Sequence, residues 1–276
     1  MFIATVVIPT FNRPGQLSKC LDCLSHYFDQ TVSSPIEMTI QVVVCDDSRN
    51  TSTKQLLKDS YPWAYYSEGP AKGPASNRNH GAQISSGEWL VFTDDDCLPQ
   101  PGWLEAYACF ADNYDVLEGK TSAKGARKRL DDECPINESG GYLWACNFAI
   151  RKQLFFQLGG FNENFPAPAM EDVELHTRIK KRLISPLFVH NAVVLHPWRR
   201  RKGLNFIRTH LASYVYYMKL HPGAARQSTI LSLLISFLRS FKKNTMLAFT
   251  YKNCHGLSRQ TVLDFCSIFM AWKAMR

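Results

Sequence analysis

The chain has 276 residues, a length that suits one large domain or one domain with an appendage. Apolar residues make up 45% of the sequence and charged residues 20%, which excludes a disordered chain, a collagen-like chain and a coiled coil. The net charge is +8, but the segment from Arg199 to Arg276 holds 14 of the 32 Lys and Arg residues and only one acid, Asp264. This asymmetry predicts a basic C-terminal segment that meets an anionic partner such as lipid, nucleic acid or phosphate.

The first 100 residues alternate predicted strands and helices. The strands are short apolar runs rich in β-branched residues, as expected of strands that are buried on both faces. Each of them is followed by polar residues and then by a helical pattern, which predicts an α/β fold with a mostly parallel central sheet. The predicted strands are Phe2–Ile8, Ile40–Cys45, Ala64–Ser67 and Trp89–Phe92, with helices starting after Asn12-Arg13-Pro14 and running through Lys72–Ser86.

The next 100 residues carry weaker signals. Val116–Lys120 is predicted to be a strand. Phe148–Ile150 is expected to lead into a helix over Lys152–Leu158, which ends at Gly159-Gly160 because glycine tolerates the left-handed conformation of a helix stop. Glu171-Asp172 precedes a predicted helix, where acids complement the helix dipole. The remaining predictions are that helix at Val173–Arg182, a strand pair at Pro186–His190 and Ala192–His196, and only helices beyond Arg199.

Polar side chains follow three of the predicted strands at the point where each strand ends. In a parallel sheet the carboxyl ends of the strands lie at one edge, and ligands bind there. We therefore expect these side chains to share one crevice. They are Thr10, Asn12 and Arg13 after the first strand, Asp46 and Asp47 after the second, and Asp94, Asp95 and Asp96 after the fourth.

The triplet Asp94-Asp95-Asp96 is the sharpest feature. Three adjacent carboxylates repel one another unless a cation or strong donors offset the repulsion, and oxygen ligands suit Mg²⁺ or Mn²⁺ bound together with substrate phosphate. A solvated acidic turn is the alternative. Arg78 is predicted either to contact phosphate or to pair with Asp47. No glycine-rich dinucleotide or P-loop motif is present, which favours a nucleotide whose phosphates are held by metal.

Five segments of the chain resemble, in order, the family 2 inverting glycosyltransferases with the GT-A fold. They are VVIPTFNRP (6–14), VVVCDDS (42–48), GPASNRNHGAQISSGEWLVFTDDDCLP (73–99), NFAIRKQLFFQLGGFNENF (147–165) and Met170–Leu175. The resemblance implies a GT-A type nucleotide-diphospho-sugar transferase fold with a mostly parallel central sheet. It also implies a catalytic domain over residues 1–200, with a nucleotide-sugar half at about 1–100 and an acceptor half at about 101–200. A basic amphipathic helical extension would then cover residues 201–276.

The resemblance also implies a role for each matching residue. Asp172 matches the catalytic base, with Glu171 beside it, although acids at a helix start also complement the dipole. Asp96 is expected to contact the metal directly, with Asp94 next to it. Many family members have Asp at the place of Thr93, so which of the three acids binds metal stays open. The expected nucleotide-sugar contacts are Pro9, Thr10, Asn12, Arg13, Asp46, Asp47, Arg78, Asp94 and Asp95.

Three further side chains are candidates on their own chemistry. His196 is predicted to be a metal ligand or a diphosphate donor, with a structural histidine as the alternative. Trp144 and Trp198 are expected to stack on a sugar of the acceptor, with core packing as the alternative.

The implied reaction moves a sugar from a nucleotide-diphosphate sugar, a UDP-sugar by family frequency, to an acceptor hydroxyl with assistance from Mn²⁺ or Mg²⁺. The acceptor is expected to be a glycan or a lipid-linked molecule, and no nucleic acid is expected as a partner. Two alternatives remain open from the sequence. One is a nucleotidyltransferase that acts on sugar phosphates, and the other is a non-catalytic module that binds membrane or nucleic acid.

The basic C-terminal segment interleaves cations with aromatic and aliphatic residues, beginning with Arg199–Lys202. Basic amphipathic helices of this kind lie in membrane interfaces, so we expect peripheral contact with an anionic membrane. The alternative is that these helices pack on the catalytic domain. The apolar run Gln227–Leu238 is too short to span a bilayer. Nine unevenly spaced cysteines and no signal peptide predict a cytoplasmic protein, positioned at the inner face of the membrane.

Overall fold

The computed structural model describes residues 1–29, 36–201, 203–225, 230–250 and 255–274. These residues form two compact units. The first unit contains Met1–Lys124, Pro135–Glu163 and Glu171–Pro197, and the second contains Gly125–Cys134, Asn164–Met170 and Trp198–Arg276.

The strands and helices are numbered in chain order. The strands are β1 (Phe2–Thr10), β2 (Met38–Asp46), β3 (Ala64–Glu68), β4 (Trp89–Thr93), β5 (Leu98–Pro99), β6 (Val116–Lys124), β7 (Asp132–Glu133), β8 (Asn147–Arg151), β9 (Leu187–Pro197) and β10 (Arg199–Arg200). The helices are α1 (Pro14–Leu24), α2 (Ser52–Ser60), α3 (Pro74–Ile84), α4 (Trp103–Ala108), α5 (Lys152–Gln157), α6 (Glu171–Lys181), α7 (Leu204–Leu220), α8 (Pro222–Ala225), α9 (Ile230–Thr250) and α10 (Leu257–Ala274).

An eight-stranded sheet in the order β3-β2-β1-β4-β8-β6-β9-β5 forms the centre of the first unit. β1 pairs in parallel with both β2 and β4, and β2 pairs in parallel with β3. The register places Thr10 opposite Asp46, so the carboxyl ends of the first two strands lie side by side. The sheet turns antiparallel at β8, which pairs with β4 and β6. The predicted mixed α/β fold with a mostly parallel central sheet is confirmed.

Apolar side chains cover both faces of this sheet, because successive residues of a strand point to opposite faces. Val6 and Ile8 of β1 pack in one cluster with residues of α1 and α4. Val7, between them, packs in the other cluster with residues of α3, α5 and α6. β1 is thus buried on both faces, as its continuous apolar sequence predicts.

Two details of the second half differ from the sequence prediction. Asn147–Arg151 is a strand in its own right, β8, which was not predicted, whereas α5 begins at Lys152 as predicted. The predicted strand pair is one strand, β9, whose pairing with β6 shifts register between Gly119 and Lys120. The predicted helix stop is confirmed, since α5 ends at Gln157 and Gly159 has a φ of 83°.

The second unit is mainly helical, with α7, α8, α9 and α10. The prediction that no strand follows Arg199 is wrong in one detail, because the two residues of β10 pair antiparallel with β7. Lys202, the last residue of the basic run, lies outside the described residues. None of the described helices combines the length and the apolar composition needed to cross a bilayer.

Candidate active site

The end of β1 and the loop that follows it contact two acids of the triplet after β4, Asp95 and Asp96. Thr10 Oγ1 donates to Asp95 Oδ2 at 2.7 Å, and Arg13 Nη1 lies 3.0 Å from Asp95 Oδ1 and 3.4 Å from Asp96 Oδ2. Asn12 adopts a left-handed backbone with a φ of 54°, and its N–H donates to Ser48 Oγ at 2.7 Å. The segments that follow β1, β2 and β4 are therefore connected by direct hydrogen bonds and ion pairs.

The two acids after β2 are both buried and bind backbone amides. Asp46 Oδ1 accepts from the N–H of Ser48 at 2.9 Å. Asp47 accepts from the N–H groups of Ala71 and Gly73 at 2.9 and 3.2 Å, which fixes the loop before α3. The alternative in which Asp47 forms an ion pair with Arg78 is wrong, because the guanidinium pairs with other acids.

Arg78 connects two acids that are far apart in the sequence. Its guanidinium is 6% exposed on α3, with Nη2 2.6 Å from Asp94 Oδ1 and Nη1 3.2 Å from Glu171 Oε1. The same group lies over the Phe161 ring, 5.6 Å from its centroid. Since a planar guanidinium presents its donors in a fixed geometry, Arg78 holds the strand-end acids beside the start of α6.

Asp172 occupies the second position of α6, next to Glu171. Its Oδ1 accepts from the N–H of Val173 at 2.8 Å, and its Oδ2 accepts from the N–H of Ala145 at 3.3 Å. Removal from water, and then the Glu171 carboxylate, raise the pKa of Asp172 to about 7, against the lowering effect of these amides and Arg78. A carboxyl group that titrates near neutrality is suited to accept a proton at physiological pH.

Asp96 and His196 form the part of the site that fits a divalent cation. Both are buried, and Asp96 Oδ1 lies 3.6 Å from His196 Nε2, too far for a hydrogen bond. His196 Nδ1 lies 2.8 Å from the carbonyl oxygen of Pro197; a proton donated there leaves a lone pair on Nε2 that faces the carboxylate. A carboxylate oxygen and a neutral imidazole form a donor set that suits Mn²⁺.

The third member of this cluster is Cys97, whose Sγ lies within 4.8 Å of the Asp96 and His196 ligand atoms. Burial raises the pKa of Cys97 far above its ordinary value, which keeps it a neutral thiol and a weak ligand. Asp94, the other predicted metal ligand, has the Arg78 ion pair on its Oδ1. Asp96 and His196 are therefore the stronger candidates.

The residues predicted to bind the nucleotide-sugar, and the predicted catalytic base Asp172, all belong to the first unit. Pro9 is buried within β1, and Trp144 stacks on Tyr142. Trp198 belongs to the second unit, where its Nε1 donates to the carbonyl of Gly125 at 2.9 Å and Arg127 lies over its ring. Its role as an acceptor contact stays a prediction.

Sequence reasoning missed four residues of this region, namely Ser48, Cys97, Glu118 and Tyr142. Ser48 and Cys97 directly follow predicted acids, so adjacency was the available signal. Glu118 is a lone acid within an apolar strand, a pattern that marks a buried charge which requires partners.

The sequence of this chain matches known protein families and individual relatives. The family model described as "Glycosyl transferase family 2" matches residues 5–130, and the one described as "Glycosyltransferase like family 2" matches residues 143–205. An uncharacterized glycosyltransferase of Haemophilus influenzae is 30% identical, over 99% of this chain and 92% of that protein. The chain belongs to glycosyltransferase family 2. The resemblance recognised from the sequence motifs is confirmed.

A second relative of this family 2 member is a Campylobacter jejuni enzyme named GalNAc(5)-diNAcBac-PP-undecaprenol beta-1,3-glucosyltransferase. It is 26% identical over 58% of this chain, and the match spans only 55% of that enzyme. The chain therefore covers about half the length of this relative.

Two solved structures share the fold. The mannosyltransferase PcManGT of Pyrobaculum calidifontis, in complex with GDP-Man and Mn²⁺, superposes with a TM-score of 0.61 at 17% identity, over 99% of this chain and 87% of that one. Residues 1–349 of S. aureus TarS, in complex with UDP, give a TM-score of 0.54 at 19% identity, over 78% of this chain and 65% of that one. Likeness at such identities shows the fold alone, and it confirms the predicted GT-A type.

Proposed function

We propose that this protein transfers a sugar from a nucleoside-diphosphate sugar to an acceptor hydroxyl in glycan or glycolipid biosynthesis, by a single displacement that inverts the anomeric centre. The observation that carries the proposal is the pair of Arg78 contacts, 2.6 Å to Asp94 and 3.2 Å to Glu171. They join the expected donor side of the site to Glu171, the neighbour of the expected base Asp172. An attack from the face opposite the leaving group requires these two sets of acids in one cavity.

The donor half of the proposed site is the edge formed by the ends of β1, β2 and β4. The loop with Thr10, Asn12 and Arg13 would contact the nucleotide and its phosphates. Asp46 and Asp47 would accept hydrogen bonds from the ribose or the base, because Asp46 Oδ2 is buried and has no hydrogen-bond partner among the described residues. Arg13, with 44% of its side chain exposed, is placed to exchange its contact with Asp96 for one with phosphate.

A divalent cation would be held by Asp96 and His196, with Asp94 close by. When bound, such a cation supplies Lewis-acid stabilisation of the charge that develops on the diphosphate leaving group. Support comes from the oxygen and nitrogen donor set and from the PcManGT neighbour, which is described with Mn²⁺.

Asp172 would act as the base that removes the proton of the acceptor hydroxyl. The proton passes to a carboxylate oxygen of Asp172 as the hydroxyl oxygen bonds to the anomeric carbon and the bond to the diphosphate breaks. A general base of this kind contributes about 10²–10⁴-fold to the rate. Among the described residues, no group donates to Glu171 Oε2, which leaves an acceptor atom beside Asp172 for the incoming hydroxyl.

The ligands and acceptors of the relatives support a proposal for the donor and the acceptor of this protein. UDP is bound by TarS, GDP-Man by PcManGT, and the Campylobacter jejuni enzyme is named for an undecaprenol diphosphate acceptor. We propose a UDP-sugar as the donor and a glycan or lipid-linked molecule as the acceptor, with action at the cytoplasmic face of the membrane.

Helix α9 supports the membrane contact. It contains no acidic residue, and its exposed cations Arg239, Lys242 and Lys243 lie among exposed apolar side chains. Each cation near an anionic leaflet contributes about 1 kcal/mol. The exposed apolar side chains of α9 are Leu234, Ile235, Leu238, Phe241, Met246 and Phe249.

Vesicle flotation tests this contact. Vesicles that contain 30% phosphatidylglycerol should float the full chain but not the double variant Leu238→Glu, Phe249→Glu. The control is Leu183→Glu, which alters an even more exposed leucine of the first unit and should float like the wild type. Equal flotation of both variants would remove α9 from the proposal.

Donor cleavage tests the activity itself. The full chain is incubated with UDP-, GDP- and dTDP-sugars and Mn²⁺, and release of the nucleoside diphosphate is measured. We expect slow hydrolysis of one donor, loss of this release in Asp96→Asn, and loss with EDTA that is restored by Mn²⁺. If no sugar nucleotide is cleaved, with or without a glycan acceptor, the proposed function is wrong.

A further inference from the structure

A buried acid holds the turn that precedes β8. The side chain of Glu118 on β6 is buried. Its Oε1 accepts from Asn137 Nδ2 and from the N–H of Tyr142, both at 2.6 Å, and its Oε2 accepts from the N–H of Gly141 at 3.0 Å. Since a buried charge is costly unless it is hydrogen-bonded, these three donors make the turn a fixed structure.

The turn needs glycine at its centre. Gly140 and Gly141 have φ values of 85° and 98°, a region that L side chains rarely adopt. The N–H of Gly140 also donates to Asn137 Oδ1 at 3.0 Å. The chain thus reverses sharply just before Tyr142, and Glu118 fixes the direction in which it leaves the turn.

Two aromatic residues follow the turn, Tyr142 and Trp144, and their rings stack on each other. The rings of Tyr142 and Trp144 are nearly parallel, with 7° between their planes and 5.4 Å between their centroids. Tyr142 is 56% exposed, and Trp144 Nε1 points back to the carbonyl of Ile136 at 3.5 Å. Trp144 is half-buried and packs against the core, so the pair has an anchored ring, Trp144, and an exposed ring, Tyr142.

This aromatic pair lies next to the proposed base. Ala145, which directly follows Trp144, donates its N–H to Asp172 Oδ2 at 3.3 Å. Asp172 is therefore hydrogen-bonded to the residue that directly follows Trp144.

We infer that Tyr142 and Trp144 form the subsite for a sugar ring of the acceptor, and that Glu118 is the positioning residue that orients them. This inference rests on the proposed function. The apolar C–H face of a pyranose suits a flat aromatic surface, and its hydroxyl groups suit the backbone polar groups around the turn. The acceptor would then be a molecule that ends in a sugar, and a bare lipid alcohol or lipid phosphate would be a poor substrate.

Binding is tested without any need for turnover. Saturation-transfer NMR is recorded for methyl glycosides of glucose, galactose, mannose and N-acetylglucosamine, in the presence of UDP and Mn²⁺. We expect saturation of the C–H protons of at least one glycoside with the wild type, and a signal at least threefold lower with Tyr142→Ala. The matched control is Tyr65→Ala, because Tyr65 is also 56% exposed and should leave the signal unchanged.

Kinetics then separate the subsite from the catalytic centre. With the glycoside that binds as acceptor, Tyr142→Ala and Trp144→Ala should each raise the acceptor KM about tenfold. Both variants should lower transfer to the glycoside more than they lower donor hydrolysis in the absence of acceptor, whereas Tyr65→Ala should leave both activities within twofold of the wild type. Tyr142→Phe and Trp144→Phe should retain the wild-type acceptor KM, because each keeps an aromatic face.

Glu118→Gln tests the positioning role. An amide nitrogen in place of one oxygen opposes one of the N–H donors, so the acceptor KM should rise as in Tyr142→Ala while donor hydrolysis is little changed. Equal loss of both activities would show a merely structural role for Glu118. No saturation of any glycoside, or equal saturation with the wild type and Tyr142→Ala, would overturn the subsite. If no donor is cleaved, the proposed function fails and the NMR result still decides the subsite.

Discussion

Two clusters of acids and arginines, one in each unit, show opposite balances of charge. In the second unit, Asp131 is buried and pairs with Arg129, Arg200 and Arg259 at 2.8, 3.2 and 2.7 Å. In the first unit, five acids surround two arginines among the described residues. These acids are Asp94, Asp95, Asp96, Glu171 and Asp172, and the arginines are Arg13 and Arg78.

The difference in balance appears in the pKa values. Burial alone would raise the pKa of Asp131, but hydrogen bonds from its three arginines lower it to about 2. In the first unit, burial raises the pKa of Asp95 to about 6 although Arg13 lowers it, and the pKa of Asp172 is raised to about 7. The Asp131 cluster is compensated by the protein itself. In the first unit, burial disfavours the ionised forms of Asp95 and Asp172, and a nearby cation or an incoming proton would relieve this cost.

Asp172→Asn should give the largest effect on function. The amide cannot accept the proton of the acceptor, so the transfer rate should fall about 10²–10⁴-fold. The free energy of unfolding should stay the same or rise, because one of two adjacent carboxylates is neutralised. Steady-state kinetics and denaturant unfolding measure the two quantities. A variant that loses stability but keeps its rate would reverse the assignment of the two clusters.

Asp131→Asn should instead lower stability. Removal of a buried carboxylate leaves three guanidinium groups without a counter-charge, and loss of one partner of such a network costs about 3–5 kcal/mol when all groups are buried. The arginine side chains here are 34–60% exposed, so we expect a decrease of about 1–3 kcal/mol. Asp112→Asn, at an exposed acid of the first unit, is the control and should unfold like the wild type.

Arg78→Lys keeps the positive charge but removes the two guanidinium nitrogens that contact Asp94 and Glu171. A single ammonium group cannot hold Asp94 and Glu171 at the same time in the same geometry, so the rate should fall about 10–100-fold. Arg151→Lys changes an arginine whose acid partner is Asp115, a largely exposed residue, and should leave the rate unchanged. Wild-type activity in Arg78→Lys would show that the bridge between the two sides is dispensable.

The pH dependence of the transfer rate should show the smallest effect, and it tests whether Asp172 is the group that titrates. Because Asp172 must be ionised to act as a base and its pKa is raised to about 7, the rate should rise with pH up to about 7 and then level off. Glu171→Gln removes a neighbouring negative charge, which favours the ionised form and should move the midpoint to lower pH. A midpoint that does not move in Glu171→Gln would exclude Asp172 as the titrating group.

Much of the fold of the first unit was predictable because its strands are short and continuously apolar. β1, β2 and β4 follow from their β-branched runs. β9 was predicted as two strands, Pro186–His190 and Ala192–His196, because Asn191 interrupts the pattern between them. In the structure, the shift in its pairing with β6 absorbs this residue and the strand continues.

The site was predictable to the extent that strand ends define it. Parallel pairing brings Thr10 and Asp46 together whatever the loops do, and the acid triplet follows at the next strand. The partner of Arg78 was not predictable in this way, because Glu171 is 93 residues away and no local periodicity connects them. The hydrogen bonds of Glu118 depend in the same way on long-range packing.

The stereochemistry of transfer is the most direct test of the central claim, that the strand-end acids and Asp172 act on opposite faces of one sugar. Once donor cleavage has identified the sugar nucleotide, early ¹H NMR spectra of the glycoside product show its anomeric configuration. We predict a configuration opposite to that of the donor. A product that retains the configuration of the donor would contradict a single displacement with Asp172 as the base.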